Sequence, residues 1–466
     1  MSLNFPEKIF ILIPWFHPAY KAGGPVQSVA NMVRQFSSRE SGVGSPEANT
    51  VINLYSSDQE INAGTDNFDI AFKIFTSNKD LDGAVLQNVE FDKWVHYSEN
   101  TEVWYSSDNN LLPVLKKEIS KESPAYLFIV GIYSWQFNFK PLLFCKGVKK
   151  IISVRGMLHP GALSQKSFKK KIYLSIWKLL GLQRKNIFHA TDEQEKEYIQ
   201  QVFGTGVTIK VAANFPGVLK QQPVVEKTAG SLTLVSVGLI SPMKNILKVL
   251  EVLQLGVGSL EFGVKESGVG SQESGLPSVA LAKEGVGSGE EGGGSRESGV
   301  GSGKSGLRPP LVRGRQAQGL EYNIYGPIKD KSYWEECEQL IKKMPATIKV
   351  KYHGDVQPKN IEQVLAQNHI FILPSKSENF GHAIYEALTA GRPVITSNHT
   401  PWNNLQDSKA GINVSTENTN ELRSAIDFFA AMSQEQLQEW SDGAREYALK
   451  AVDMERTRRE YEEMWK

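Results

Sequence analysis

The sequence predicts an α/β fold of two doubly wound parallel-sheet domains facing each other across a cleft, and three observations lead there. The chain has 466 residues, too many for one hydrophobic core and enough for two domains of ordinary size. Short apolar runs alternate with helical stretches along both halves, the pattern of parallel strands joined by crossover helices. Residues 369–397, HIFILPSKSENFGHAIYEALTAGRPVITS, hold a complete strand-loop-helix-strand unit. Its loop lies at the carboxyl end of a strand, where open parallel sheets bind ligands.

Within that unit the apolar run Ile370–Leu373 reads as a buried strand, stopped by Pro374 and Ser375. A helix is expected from Phe380 to Ala390, with Gly391 in the place of a C-terminal capping glycine and Pro393 opening the strand Val394–Ser397. Glu378 in the loop and Glu386 in the helix are eight residues apart, roughly 12 Å at helical rise. That is too far for both to act on one bond, for which paired carboxylates sit about 5–10 Å apart. They suit two ends of one long ligand. Between them, the N–H groups of Asn379, Phe380 and Gly381 are expected at the positive end of the helix, a natural seat for a diphosphate. A ligand with a sugar at one end, a diphosphate in the middle and a ribose at the other fits this layout.

The segment PSKSENFGHAIYEALTAGRPVI resembles the E-x7-E signature of family 4 glycosyltransferases, retaining enzymes of the two-domain GT-B fold, with two Rossmann-like domains. The resemblance implies that Glu378 lies by the donor sugar and that Glu386 holds the ribose hydroxyls. It implies a UDP- or GDP-linked sugar donor, a saccharide or lipid-linked acceptor, no metal and no cofactor. Synthesis of a surface polysaccharide or glycolipid is the expected setting.

Bulk composition agrees and excludes other classes. Basic and acidic residues balance at 52 and 51, so nothing points to nucleic acid. Cys145 and Cys337 are too few for a disulfide framework or a cysteine-rich metal site. No run reaches the ~20 apolar residues of a membrane span, and the N-terminal stretch lacks the features of a secretory signal. A cytoplasmic protein is expected, at most attached to the inner face of the membrane.

In chain order, Lys8–Phe16 reads as the first strand, and Gly23, Gly24 and Pro25 open a helix to Phe36. A glycine pair lets a ligand approach the backbone closely, and Pro25 suits the first turn; the resemblance turns this loop towards the cleft. Val51–Tyr55, Tyr126–Tyr133, Lys150–Val154 and Asn186–Thr191 read as further strands. Arg155 and His159 follow the third of these in RGMLHPGAL. The resemblance makes them sugar-contacting candidates, and a structural role is the alternative for each. Residues 166–185, KSFKKKIYLSIWKLLGLQRK, form a basic amphipathic helix with aromatics, suited either to peripheral contact with an anionic membrane or to packing with a solvated basic end.

The resemblance ends the first domain at 218, makes 219–230 the linker and 231–449 the second domain, and returns the last helix, 450–466, to the first. Leu232–Gly238 reads as a strand, and LISPMKNILKVLEVL follows. It resembles the family's G-R-x-x-x-x-K run, with Lys244 in the lysine place to meet the diphosphate. Leu239 stands where the family has Arg. That departure leaves a donor-binding pseudoenzyme open as an alternative, beside a nucleotide-sugar epimerase of the same fold.

Residues 255–319 carry GVGS at 256, 268, 285 and 299, spacings that fit no repeat architecture. They read as a low-complexity insertion, expected to be disordered for lack of apolar content. GSGEEG at 287 and SGVGSGKS at 298 imitate phosphate-binding loops, but no strand leads into either. Leu320–Gly326 and Ile348–Gly354 resume the sheet. By the resemblance the loop Gly354-Asp355-Val356 lies near the nucleotide base, with Val356 against it. Asp80-Leu81-Asp82 spells the metal-binding D-x-D of the other common glycosyltransferase fold and reads here as a polar turn, since SNKDLDGAV shows no apolar strand.

Overall fold

A computed structural model describes residues 8–37, 70–107, 111–164, 167–256 and 319–466. Two sheets organise them. The first runs in the order β3-β4-β2-β1-β5-β6-β7-β8. Its strands are β1 Lys8–Leu12, β2 Ala71–Ser77, β3 Trp94–Ser98, β4 Thr101–Ser106, β5 Tyr126–Val130, β6 Lys149–Ser153, β7 Ile187–Ala190 and β8 Thr208–Val211. Every neighbouring pair is parallel except β3 with β4. The second sheet is parallel throughout, in the order β11-β10-β9-β12-β13-β14. It comprises β9 Leu232–Val237, β10 Leu320–Tyr325, β11 Ile348–Tyr352, β12 Ile370–Leu373, β13 Val394–Ser397 and β14 Gly411–Val414.

The sequence dictates this burial directly. β1 is apolar at every position after Lys8, because alternate residues feed two different cores. Ile9 and Ile11 join one cluster, Phe10 and Leu12 the other. Sheets covered by helices on both faces require such continuous apolar strands. In the second sheet Leu234 and Val235 divide in the same way.

Both sheets reverse strand order beside their first strand, between β1 and β5 and between β9 and β12. Ligand crevices of open α/β sheets form at such reversals. The loops after β1, β9 and β12, which hold Gly23, Lys244 and Glu378, all emerge there.

The segment between the two sheets is held against the second. The Arg392 guanidinium donates to the carbonyls of Gln222 and Pro223 at 2.9 and 2.6 Å. Lys227 Nζ donates to the carbonyls of Ala430 and Met432. The terminal helix Met454–Trp465 packs on the first sheet, where Tyr461, Met464 and Trp465 are buried with Phe36, Phe72 and Phe215.

The strand expected at Val51–Tyr55 lies outside the described residues, as do 257–318 of the glycine-rich segment. The place beside β1 is taken by β2. The helix Ile246–Gln254 and strand β10 complete the crossover from β9, so the sheet owes no strand to 257–318. Replacing those residues by a short Gly-Ser bridge should leave nucleotide binding unchanged and raise the melting temperature by a few degrees. Loop-closure entropy changes by only ~2–3 kcal/mol over such a length, in favour of the shorter loop. A shortened chain that folds but no longer binds nucleotide would refute this expectation.

Candidate active site

One cavity of about 320 Å³ opens between the two domains. It is lined by Gly23, Gly24, Arg155, Leu239, Lys244, Val356, Glu378, Asn379, Phe380, Gly381 and Glu386. Apart from His159, every site residue expected from the sequence is on that wall.

The helix His382–Thr389 begins two residues later than the sequence suggests. Gly381 is its N-cap, with left-handed φ of 77°. A Cβ there would lie 3.1 Å from Trp402 Nε1 and 3.2 Å from Ile384 Cδ1, so glycine is required on two counts. Trp402 Nε1 donates to the Phe380 carbonyl at 2.6 Å and keeps that residue in the loop. The open helical donors are therefore those of His382 and Ala383 as well as Gly381, since the first bonds back to Gly381 O come from Ile384 and Tyr385. No side chain caps this end.

Lys244 reaches in from the loop after β9. Its Nζ lies 2.5 Å from Glu378 Oε1, which also accepts from Ser375 Oγ at 2.7 Å. Two further bonds lock the loops after β9 and β12 together, Lys376 N to Met243 O at 2.8 Å and Asn245 Nδ2 to Pro374 O at 3.2 Å. Lysine and acid thus face the cavity as a preformed pair.

Glu386 sits one helical turn inside the same wall and faces Gly217 of the first domain. Among the described residues its carboxylate has no hydrogen-bond partner. Desolvation in the cavity wall pushes its pKa up to about 8, which favours the protonated form at neutral pH. His382 is pushed the other way, down to about 3, by burial and then by the charges of Arg155 and Lys244. Its ring is neutral.

The opposite wall comes from the first domain. Gly24 approaches so closely that a Cβ would lie 3.2 Å from His382 Cδ2. Arg155 is buried, and its Nη1 donates to Ser28 Oγ at 2.7 Å and to Asn214 Oδ1. The next residue, Gly156, donates its N–H to the Glu195 carboxylate, which also accepts from Thr191 N at 2.7 Å. Asn379 Nδ2 donates to Thr191 Oγ1 across the cleft at 3.0 Å. His159 stands apart from the cavity. Its Nδ1 accepts from Gly161 N at 3.0 Å, its Nε2 meets Ser377 Oγ at 3.3 Å, and Tyr198 packs edge-on against it. It joins the domains beside the site.

The sequence reading gave Lys21 no role and named Asp355 only as part of the loop near the base. Lys21 Nζ lies 2.6 Å from Asp82 in its own domain and 2.9 Å from Asp355 in the other. Asp80 accepts the N–H groups of Tyr20 and Lys21, both at 3.2 Å. The D-x-D acids thus fasten the loop that carries Gly23. One correction follows for that motif: an apolar strand, β2, does precede it, ending three residues before Asp80. The only signal for Lys21 was its place in HPAYKAGG. Its partner across the cleft is 334 residues away, beyond any local pattern.

Residues 310–447 match the family model described as Glycosyl transferases group 1. A stretch of 70 residues is 34% identical to sulfoquinovosyl transferase SQD2 of Arabidopsis thaliana; it covers 15% of this chain and 13% of that protein. Sucrose-phosphate synthase from Thermosynechococcus elongatus superposes with a TM-score of 0.60 at 14% identity, covering 98% of each chain. HepE of Anabaena, in complex with UDP-glucose, superposes with a TM-score of 0.55 at 13% identity, covering 98% of this chain and 99% of that one. The chain therefore has the GT-B fold, and residues 310–447, which carry Glu378, Glu386 and the open helix end, match the group 1 glycosyl transferases.

Proposed function

We propose that this protein is a retaining, metal-independent glycosyltransferase of family 4 type, moving a sugar from a nucleoside-diphosphate donor to an acceptor hydroxyl. The observation that carries this reading is the shared cavity lined by Lys244, Glu378, Glu386 and the open helix start at Gly381. Glu386, without a hydrogen-bond partner among the described residues, would take the ribose hydroxyls. Lys244 and the N–H groups of Gly381, His382 and Ala383 would take the diphosphate. Glu378 would hold the transferring sugar, with Gly23 and Gly24 closing over the donor and Val356 against the base. Arg155 belongs to the acceptor-side wall. His159, at its edge, would orient Ser377 and the loop that carries Glu378.

Charge builds on the leaving diphosphate as the sugar departs. Fixed donors aimed at that charge stabilise the transition state without reorganising, and a lysine with three backbone N–H groups supplies them. The likeness to HepE, held with UDP-glucose, favours a nucleotide-sugar donor. A saccharide or lipid-linked acceptor, and a setting in polysaccharide or glycolipid synthesis, complete the proposal.

A thermal-shift series with UDP, GDP and ADP tests the donor class. One nucleoside diphosphate should raise the melting temperature at millimolar concentration, since a ligand at about 100 times its Kd adds ~2.7 kcal/mol. No stabilisation by any of the three would overturn the nucleotide assignment. Transfer of labelled sugar to an acceptor, against its release or epimerisation without one, then separates transferase from epimerase.

A further inference from the structure

We propose that Glu195 is a positioning residue for Glu378, acting from the other side of the cleft through Thr191 and Asn379, a role that rests on the proposed sugar transfer. Glu195 is the third residue of the helix Glu193–Phe203 and is 2% exposed. An acid in that place commonly reaches back to the residue that caps its own helix. Here the cap is Asp192, whose side chain already accepts from Glu195 N at 2.7 Å, and the Glu195 carboxylate extends past it. One oxygen accepts the Gly156 N–H. The other accepts from Thr191 N at 2.7 Å and from Thr191 Oγ1 at 2.9 Å. Three donors on two oxygens call for the ionised carboxylate, which only accepts. Burying a charge is costly, and capping does not account for this one.

What the carboxylate fastens is the surface on which Asn379 of the second domain rests. A Cβ on Gly156 would lie 3.5 Å from Asn379 Cβ, and Asn379 Nδ2 donates to Thr191 Oγ1 at 3.0 Å. Glu195 sets the direction of that bond. The Thr191 hydroxyl has one proton, and with the proton committed to the carboxylate its oxygen can only accept. The amide must then present Nδ2, although Oδ1 also lies within 3.2 Å of the hydroxyl. Asn379 follows Glu378 in the chain, and Ser377, which precedes it, meets His159 Nε2 at 3.3 Å. The first domain thus grips the loop on both sides of Glu378, while Lys244 and Ser375 of the second domain hold the carboxylate itself. The nucleotide end of the cavity has no such dependence. Lys244, Glu386 and the N–H groups from Gly381 to Ala383 all belong to the second domain. A fault at Glu195 should therefore be felt at the sugar and not at the nucleotide.

Three variants of the full chain, Glu195→Gln, Thr191→Val and Thr191→Ser, test this by hydrogen exchange and kinetics. Glutamine keeps the volume of Glu195 but turns an NH2 group towards the N–H of Gly156 or of Thr191. Valine keeps the shape of Thr191 without the hydroxyl, and serine restores the hydroxyl. Should Glu195→Gln fail to fold, the Thr191 pair carries the test. The peptide 375–381 contains the amides of Lys376 and Glu378, bonded to the carbonyls of Met243 and His399. Its exchange should quicken about tenfold in Glu195→Gln and Thr191→Val and keep the parent rate in Thr191→Ser. With whichever of UDP, GDP and ADP binds the parent, Kd should stay within about twofold. The kcat for release of glucose from the matching nucleoside-diphosphate glucose should fall roughly tenfold, the scale of one buried hydrogen bond left unmade. Parent exchange rates in Thr191→Val would overturn the proposal, and so would equal losses in Kd and kcat. A parent that binds none of the three nucleotides would instead remove the proposed sugar transfer and with it the purpose of the contact, whereas the exchange rates judge the contact itself.

Discussion

Lys244→Ala should lower donor affinity and kcat/KM tenfold to a hundredfold. Lys244 is the cavity-wall cation that stands beside Glu378, and a charge-assisted contact of ~1.5–3 kcal/mol to a diphosphate corresponds to that range. The structure adds a second source of loss. Lys244 is paired with Glu378 at 2.5 Å, so its removal leaves that carboxylate with only the Ser375 hydroxyl. An uncompensated acid would then stand beside an anionic ligand. Lys244→Ala combined with Glu378→Gln should therefore bind nucleoside diphosphate better than Lys244→Ala alone, although it should not transfer sugar. Calorimetric titration of the two variants measures this coupling. Unchanged donor affinity in Lys244→Ala would remove the lysine from the diphosphate site.

Glu386→Gln should have opposite effects on stability and on binding. Burial raises the Glu386 carboxyl from its ordinary 4.5 to about 8. Between those values the folded chain holds a proton that the unfolded chain has lost, so this group's contribution to stability falls as pH rises through the window. Glutamine imitates the protonated form. The variant should melt a few degrees above the parent at pH 8 and level with it near pH 4.5, on a scale where about 1 kcal/mol moves a domain by ~2–4 °C. Ribose hydroxyls donate best to the ionised acid. Nucleotide affinity of the parent should therefore strengthen as pH rises towards 8, and the variant should lose that dependence with ten- to hundredfold of affinity. Equal affinity in parent and variant across the pH range would show that Glu386 serves the fold alone.

Much of the site was legible because it is local. The loop and helix from Ser375 to Thr389 place Glu378, Gly381 and Glu386 through strand, glycine and helix periodicity alone, and the resemblance carried by those residues assigned their roles. The core strands β1, β5, β6, β9 and β12 announce themselves as apolar runs because both faces of each are covered. The strands that were missed lack that cause. β8 alternates between exposed and half-buried residues at a sheet edge, and β3 is a half-exposed antiparallel edge strand. β2 is interrupted by Lys73, which the fold satisfies through Glu122 at 2.6 Å, a partner that no local reading supplies. The helix start moved because Trp402, from the strand-end loop beyond, holds the Phe380 carbonyl.

The sequence by itself determined the fold class, the strands β9 to β13 of the second half and which acids, lysine and glycines line the cleft. Each of these depends on residues a few positions apart. Only the tertiary structure decided that Lys244 is paired with Glu378, that Glu386 is half-buried with no hydrogen-bond partner among the described residues, that His159 leaves the cavity and that Lys21 bridges to Asp355. Such contacts join residues from different strand ends, and their energies depend on distance and solvent access, quantities that exist only once the two sheets face each other.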